Sequence, residues 1–196
     1  MFKRAFDLVF SILGIVLLSP LLIAISLLIK VDSKGPVLYL QQRVGKKNHD
    51  FYIFKFRSMR PNSDKKGLLT VGKKDSRITR SGYLLRKYKL DELPQLFNVL
   101  KGDMSFVGPR PEVRKYVSMY NKEQLKVLSI KPGITDYASI KYSNENDLLA
   151  AASDPEKFYI ENIFPEKIKL NLAYINDHSI LKDVKIILKT IFKIIR

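Results

Sequence analysis

The stretch VLLSPLLIAI, Val16 to Ile25, places a proline in the middle of the most apolar run of the chain. Proline in a helix interior removes a backbone donor and clashes with the turn before it. This run therefore crosses a membrane with a kink, enters one and returns, or belongs to a core. From Leu8 to Ile29 there is no charged residue, and Ser11, Ser19 and Ser26 are the hydroxyl-bearing ones. A straight helix of that length measures roughly 33 Å, against about 30 Å of bilayer hydrocarbon. Pro20 divides it into arms of roughly 18 and 14 Å, neither of which spans. It also frees the Val16 carbonyl, onto whose turn the Ser19 hydroxyl can fold back. Length and proline alone leave a kinked span and a re-entrant helix equally open.

The flanks favour re-entry. Lys3 and Arg4 precede the run, and Lys30, Lys34, Arg43, Lys46 and Lys47 follow it, so both ends carry the cationic signature of the cytoplasmic side. Asp7, at the membrane entry, is expected beside Lys3 and Arg4 on one helical face. A cleavable signal fits poorly, because the apolar part is long and no small-x-small site precedes Lys30. Residues 1–34 accordingly read as a membrane helix and 35–196 as one cytoplasmic domain.

The 196 residues suffice for one sizeable core plus such an appendage. Lysine and arginine number 35 against 19 acidic residues, a net charge of +16, which favours polyanions: nucleic acid, anionic headgroups or phosphate-bearing substrates. The lack of cysteine excludes a disulfide framework and thiolate metal sites, and with only His49 and His178 a zinc centre is not expected. A metal here should be a hard ion on carboxylates, such as magnesium.

Downstream, GPVLYLQQRVG and FYIFKFRSM flank the polar KKNHD and predict a β-hairpin, with Lys55 and Arg57 on one face by the period of two. Arg60 to Arg80 reads as a long polar loop. Leu90, Leu93, Leu96, Phe97 and Leu100 recur at helical spacing, and Pro94 suits a first turn, so a helix is predicted from near Asp91 to Gly102. Asp91 and Glu92 then sit at its positive end, downstream of Arg86, Lys87 and Lys89; a capping pair would look the same. In VGPRP two prolines bracket Arg110 and restrict its backbone, which suits a planar fork presented to phosphate as well as a solvated turn. KPGIT predicts a turn and a strand-like piece through Ile140. In the tail, Lys182, Lys185, Lys189, Lys193 and Arg196 form a basic stripe beside an Ile/Leu/Phe face, as in a helix lying in a membrane interface.

Taken together, KRAFD, Ser19-Pro20, QQRVG, FKFRSM, LDELPQLFNVLKGDMSFVGPRP and KPGIT resemble, in order, the bacterial sugar transferases, the monotopic polyprenyl-phosphate phosphoglycosyl transferases. The resemblance implies an α+β fold: a re-entrant N-terminal helix broken at Ser19-Pro20, a small hairpin, and amphipathic interfacial helices around a catalytic domain on the cytoplasmic face of the bacterial inner membrane. It implies transfer of a phosphosugar from a UDP-sugar to undecaprenyl phosphate with release of UMP. Asp91 matches the nucleophile, Glu92 its dyad partner, and magnesium, held by both, the cofactor. Lys55, Arg57, Arg86 and Arg110 are the cations expected around the phosphates, since attack on a diphosphate gathers negative charge on oxygen. After KPGIT many members continue with Gly-Trp and an Asn-Gly-Arg segment, whereas this chain has DYASIKYSNENDLL; the sugar is therefore not carried over, and oligomeric state stays open. A membrane-anchored nucleic-acid-binding or scaffold protein is the alternative, although no helix-turn-helix or zinc-finger pattern supports it and no nucleic-acid partner is expected.

Overall fold

In a computed structural model the fold is described for residues 2–63, 72 and 75–195. The centre of the polar 60–80 loop and Arg196 lie outside these residues. The apolar run forms α1 (Phe2–Asp32), which continues helical through Pro20. The interruption expected at Ser19-Pro20 is not found. Ser19 Oγ donates to the Val16 carbonyl at 2.8 Å, the carbonyl whose partner Pro20 removed, so the helix continues with that acceptor satisfied.

One stripe of α1 faces the body along its whole length: Asp7, Ser11, Leu18, Leu22, Ile25 and Ile29 are buried or half-buried at spacings of three, four and seven. Ile25 and Ile29 pack with Phe56 and Leu85. Burying a side chain of this size contributes about 1.5–3 kcal/mol. The remaining surface of the helix stays apolar and exposed, including Val16, Leu17, Ile23 and Leu27. Both ends are tied to the same body. Arg4 donates to the carbonyls of Val99 and Leu100 at 2.6 and 2.8 Å, and Asp7 accepts from Ser105 Oγ and the Phe106 N–H. At the far end Asp32 accepts from the N–H and hydroxyl of Ser81. Lys3 pairs with Asp183 and not with Asp7. Lys3 and Arg4 are near enough to Asp7 to act on its charge, as expected, but their hydrogen bonds go elsewhere, and Asp7 accepts from backbone and hydroxyl donors.

The hairpin is formed by β1 (Leu38–Val44) and β2 (Asp50–Phe56), antiparallel with Tyr39 opposite Lys55. Helix α2 (Arg80–Lys87) is capped by Thr79, and a short turn of 3-10 helix at Leu90–Glu92 leads through Pro94 into α3 (Gln95–Lys101). The predicted single helix from Asp91 is therefore two pieces, ending at Gly102 with φ 98°, as a glycine permits. Buried Asn98 bridges the pieces to the hairpin, accepting from the Phe54 N–H and donating to the Tyr52 carbonyl.

Strands β3 (Ser105–Val107) and β4 (Gly133–Thr135) pair in parallel. A Cβ on Gly133 would lie 2.1 Å from the Gly108 nitrogen, so VGPRP and KPGIT meet only because glycine stands there. The strand expected through Ile140 ends at Thr135. Asp136 accepts from the Ser139 N–H and starts α5 (Tyr137–Lys141). After α4 (Arg114–Val117), the helices α6 (Glu145–Ala151), α7 (Pro155–Phe158) and α8 (Phe164–Asn176) enclose a core of Tyr116, Val127, Leu149, Tyr159, Phe164 and Ile168.

The last helix, α9 (Ile180–Ile195), has three faces. Asp183 and Ile186 are buried against the body, Lys185 and Lys189 are exposed on a second side, and Leu181, Leu188 and Phe192 are exposed on a third. The fold is thus mixed α and β, with a long apolar N-terminal helix.

Candidate active site

The hairpin, the Leu90–Glu92 turn and the β3–β4 pair bring Lys55, Asp91, Glu92 and Arg110 to one wall of a cavity of about 1020 Å³. Glu92 is gripped from two sides. Arg110 binds both its carboxylate oxygens, through Nη1 to Oε2 at 3.1 Å and through Nη2 to Oε1, while Lys55 Nζ reaches Oε1 at 3.2 Å. Burial alone would push the Glu92 carboxyl up, but Arg110 and Lys55 together outweigh it and hold the group well below the ordinary carboxylate range. Reciprocally, Glu92 raises the Arg110 guanidinium above its ordinary value. Lys55 is lowered, because desolvation exceeds what Glu92 returns.

Asp91 is the opposite case. It is 7% exposed, and its Oδ1 is buried without a hydrogen-bond partner among the described residues. Burial raises its pKa, the Glu92 charge adds to that, and Lys55, Arg86 and Lys89 offset it in part. The two adjacent carboxyls thus differ: Glu92 is held ionised by two cations, and Asp91, which lines the cavity, keeps one buried oxygen without a partner among the described residues.

The four expected cations are placed differently. Lys55 and Arg110 meet at Glu92, and one third of the Arg110 side chain remains exposed. Arg86 is half-buried on the cavity wall, and its side chain makes no hydrogen bond or ion pair to a described residue. Arg57 is not a free fork: Nε, Nη1 and Nη2 donate to the carbonyls of Pro36, Lys34 and Ser33 at 2.6–2.8 Å. It ties the chain leaving α1 to the hairpin, and it lines the same cavity with its donors engaged by these carbonyls. Ser19 and Pro20 lie on α1, away from this wall.

Sequence reasoning counted Arg43 only among the membrane-flanking cations and passed over Asp136, yet both line the cavity. Arg43 donates to the Pro111 carbonyl at 3.2 Å, sits 3.9 Å from Glu112, and leaves Nε buried without a partner. Asp136 Oδ2 accepts from the Arg110 N–H at 3.0 Å, fixing the backbone that carries the guanidinium. The burial of Arg43 and the hydrogen bond from the Arg110 backbone are long-range, so no local spacing reveals them.

Among the described residues no three Asp, Glu or His side chains converge as a ready-made metal centre. The site nevertheless fits a hard divalent ion that draws most ligands from phosphate and water, with Asp91 Oδ1 as the protein oxygen to spare. Both Glu92 oxygens already accept from Arg110 and Lys55, so Glu92 would hold an ion only by sharing its oxygens with these cations.

Among known proteins, the chain is similar to several sugar phosphotransferases. A UDP-N-acetylgalactosamine-undecaprenyl-phosphate N-acetylgalactosaminephosphotransferase of Aeromonas hydrophila is 43% identical over 192 residues, covering 96% of this chain and 42% of that protein. A UDP-glucose:undecaprenyl-phosphate glucose-1-phosphate transferase of Escherichia coli (strain K12) is 37% identical over 195 residues, covering 97% of this chain and 39% of that protein. The chain spans less than half the length of these two relatives. Uncharacterized sugar transferase EpsL of Bacillus subtilis (strain 168) is 35% identical over 193 residues, covering 98% of this chain and 87% of that protein. The comparisons lend the nucleic-acid-binding and scaffold alternatives no support. The family described as bacterial sugar transferase matches residues 1–196, so with its unequal carboxyl pair and apolar first helix this chain belongs to the bacterial sugar transferases.

Proposed function

We propose that this chain transfers a phosphosugar from a UDP-sugar to undecaprenyl phosphate through a covalent intermediate on Asp91. The observation that carries this reading is the unpartnered, buried Asp91 Oδ1 beside a Glu92 already neutralised by two cations. An Asp91 oxygen attacks the sugar-bearing phosphorus, a new O–P bond forms, the diphosphate O–P bond breaks, and UMP leaves with the electron pair. A phosphate oxygen of the lipid then attacks the same phosphorus and releases the Asp91 carboxylate. Splitting the transfer in this way is what a carboxylate nucleophile contributes.

The exposed part of Arg110, with Lys55 and Arg86, offers positive charge to the phosphoryl oxygens. A bound magnesium ion would be held by Asp91 and would neutralise diphosphate charge. Arg110 and Lys55, fixed on Glu92, keep their positions without reorganising as charge moves.

The membrane placement proposed is one-sided, at the cytoplasmic face. Arg4 and Asp32, near opposite ends of α1, are both bonded to the body that carries the site. A helix spanning the bilayer would put one end some 30 Å away across hydrocarbon. The exposed apolar faces of α1 and α9 then rest in lipid, at the depth where a lipid phosphate lies.

Incubation with UDP-sugars and magnesium, without lipid, tests the chemistry. The expected result is up to one equivalent of UMP and a phosphosugar mass on the peptide containing Asp91, both abolished in Asp91→Asn. UMP release strictly dependent on undecaprenyl phosphate, or an adduct elsewhere, overturns the covalent route.

A further inference from the structure

Opposite the cationic wall, the cavity is closed by α5, α6 and α8, and α5 and α6 lie in the segment where this chain departs from the commoner family pattern after Thr135. Its groups differ in kind from those around Glu92. Asn171 is 6% exposed and its side chain makes no hydrogen bond to a described residue, yet it lines the cavity. On α8 it occupies the stripe otherwise filled by Phe164, Ile168 and Tyr174, where helical periodicity calls for an apolar side chain. Ser139 Oγ, also on the cavity wall, is buried without a partner. Between them Glu145 and Lys167 form an ion pair at 2.5 Å, both lining the cavity. Buried polar groups without partners cost stability, so their retention here calls for something in the cavity that bonds to them.

The chemistry of that ligand follows from the wall. A hydroxyl, a carboxamide and a charge-compensated pair supply donors and acceptors with no net charge. A phosphate would select the cations across the cavity, and a hydrocarbon chain would leave these groups unsatisfied. A neutral molecule with several hydroxyls satisfies them. The wall is also held in register with the phosphate side, because Asp136 bonds the Ser139 N–H through Oδ1 and the Arg110 N–H through Oδ2.

We infer that Ser139, Glu145, Lys167 and Asn171 form the subsite that reads the hydroxyl groups of the donor's sugar. This rests on the phosphosugar-transfer reading above. Asn171→Ala and Ser139→Ala lose no side-chain hydrogen bond within the described structure, so both should fold with an unchanged or higher Tm. Each should lower kcat/KM about tenfold for the preferred UDP-sugar, the scale of one lost hydrogen bond to substrate, and compress the preference among UDP-glucose, UDP-galactose and their N-acetyl derivatives. Inhibition by UMP, which lacks the sugar, should be unchanged. Weaker UMP inhibition in the same variants would make this the nucleoside subsite and overturn the inference. Unaltered donor preference in both folded variants would overturn it as well. A parent protein that releases UMP from none of these donors would instead refute the transfer reading, and the subsite with it.

Discussion

Arg110 holds Glu92 by both carboxylate oxygens, so the arginine expected from the sequence to face phosphate is first of all the partner of a buried carboxylate. A lysine keeps the charge but replaces two parallel bonds with one. Arg110→Lys should therefore lower both activity and stability, the latter by about 2 kcal/mol. Denaturant unfolding with a parallel UMP-release assay measures both. Loss of activity at full stability would show that the Glu92 contact contributes nothing to the fold.

The two carboxyls should respond to pH with opposite signs. The Asp91 pKa is raised in the folded state, mainly by burial, so ionising it opposes folding and stability is lost as pH rises through that raised value. The Glu92 pKa is depressed, so its contribution is present above the ordinary glutamate value of about 4.3 and is lost as pH falls through the folded value. At neutral pH Asp91→Asn should be more stable than the parent and inactive. Glu92→Gln should be less stable by about 2 kcal/mol, because it leaves two partly buried cations short of a partner. Thermal unfolding from pH 3 to 8 should show the Asp91→Asn gain vanishing at the acid end.

Arg57 should prove structural. With its three donor nitrogens committed to the carbonyls of Ser33, Lys34 and Pro36, Arg57→Lys keeps the charge and loses the fork. A destabilisation of about 2–4 kcal/mol is expected, with little change in kcat for the folded fraction. A large fall in kcat at unchanged Tm would return Arg57 to the phosphate site.

The Ser19 hydroxyl and Pro20 form a coupled pair through the Val16 carbonyl. Ser19→Ala in the parent should cost about 1 kcal/mol, since the carbonyl is left unpaired in an apolar setting. In a Pro20→Ala background the restored N–H of residue 20 takes the carbonyl, and the same serine change should cost almost nothing. A double-mutant cycle in nanodiscs reads the coupling directly; equal costs in both backgrounds would remove it.

Both ends of α1 should be reachable from the cytoplasmic side. Phe2 and Lys34 are exposed, and the chain has no cysteine of its own, so Phe2→Cys and Lys34→Cys give clean labels. Labelling of both in inverted vesicles and neither in intact cells is the expected pattern. Labelling of Phe2→Cys from the periplasm would mean that α1 spans.

Local pattern was enough to read the hairpin, the apolar first helix, the turn at Gly102 and the Asp91–Glu92 pair, because each depends on spacing and residue type within a few positions. Family-specific motifs added the chemistry. Tertiary structure decided where the charges go. Arg57 turns to carbonyls, Lys3 to Asp183 and Arg110 to Glu92, and the strand after KPGIT stops at Asp136 because that carboxylate is taken by two N–H groups, one of them from Arg110. A cation's partner is set by which segments pack together, and the carboxylate left without one, Asp91, is identified only when the burial of every neighbour is known.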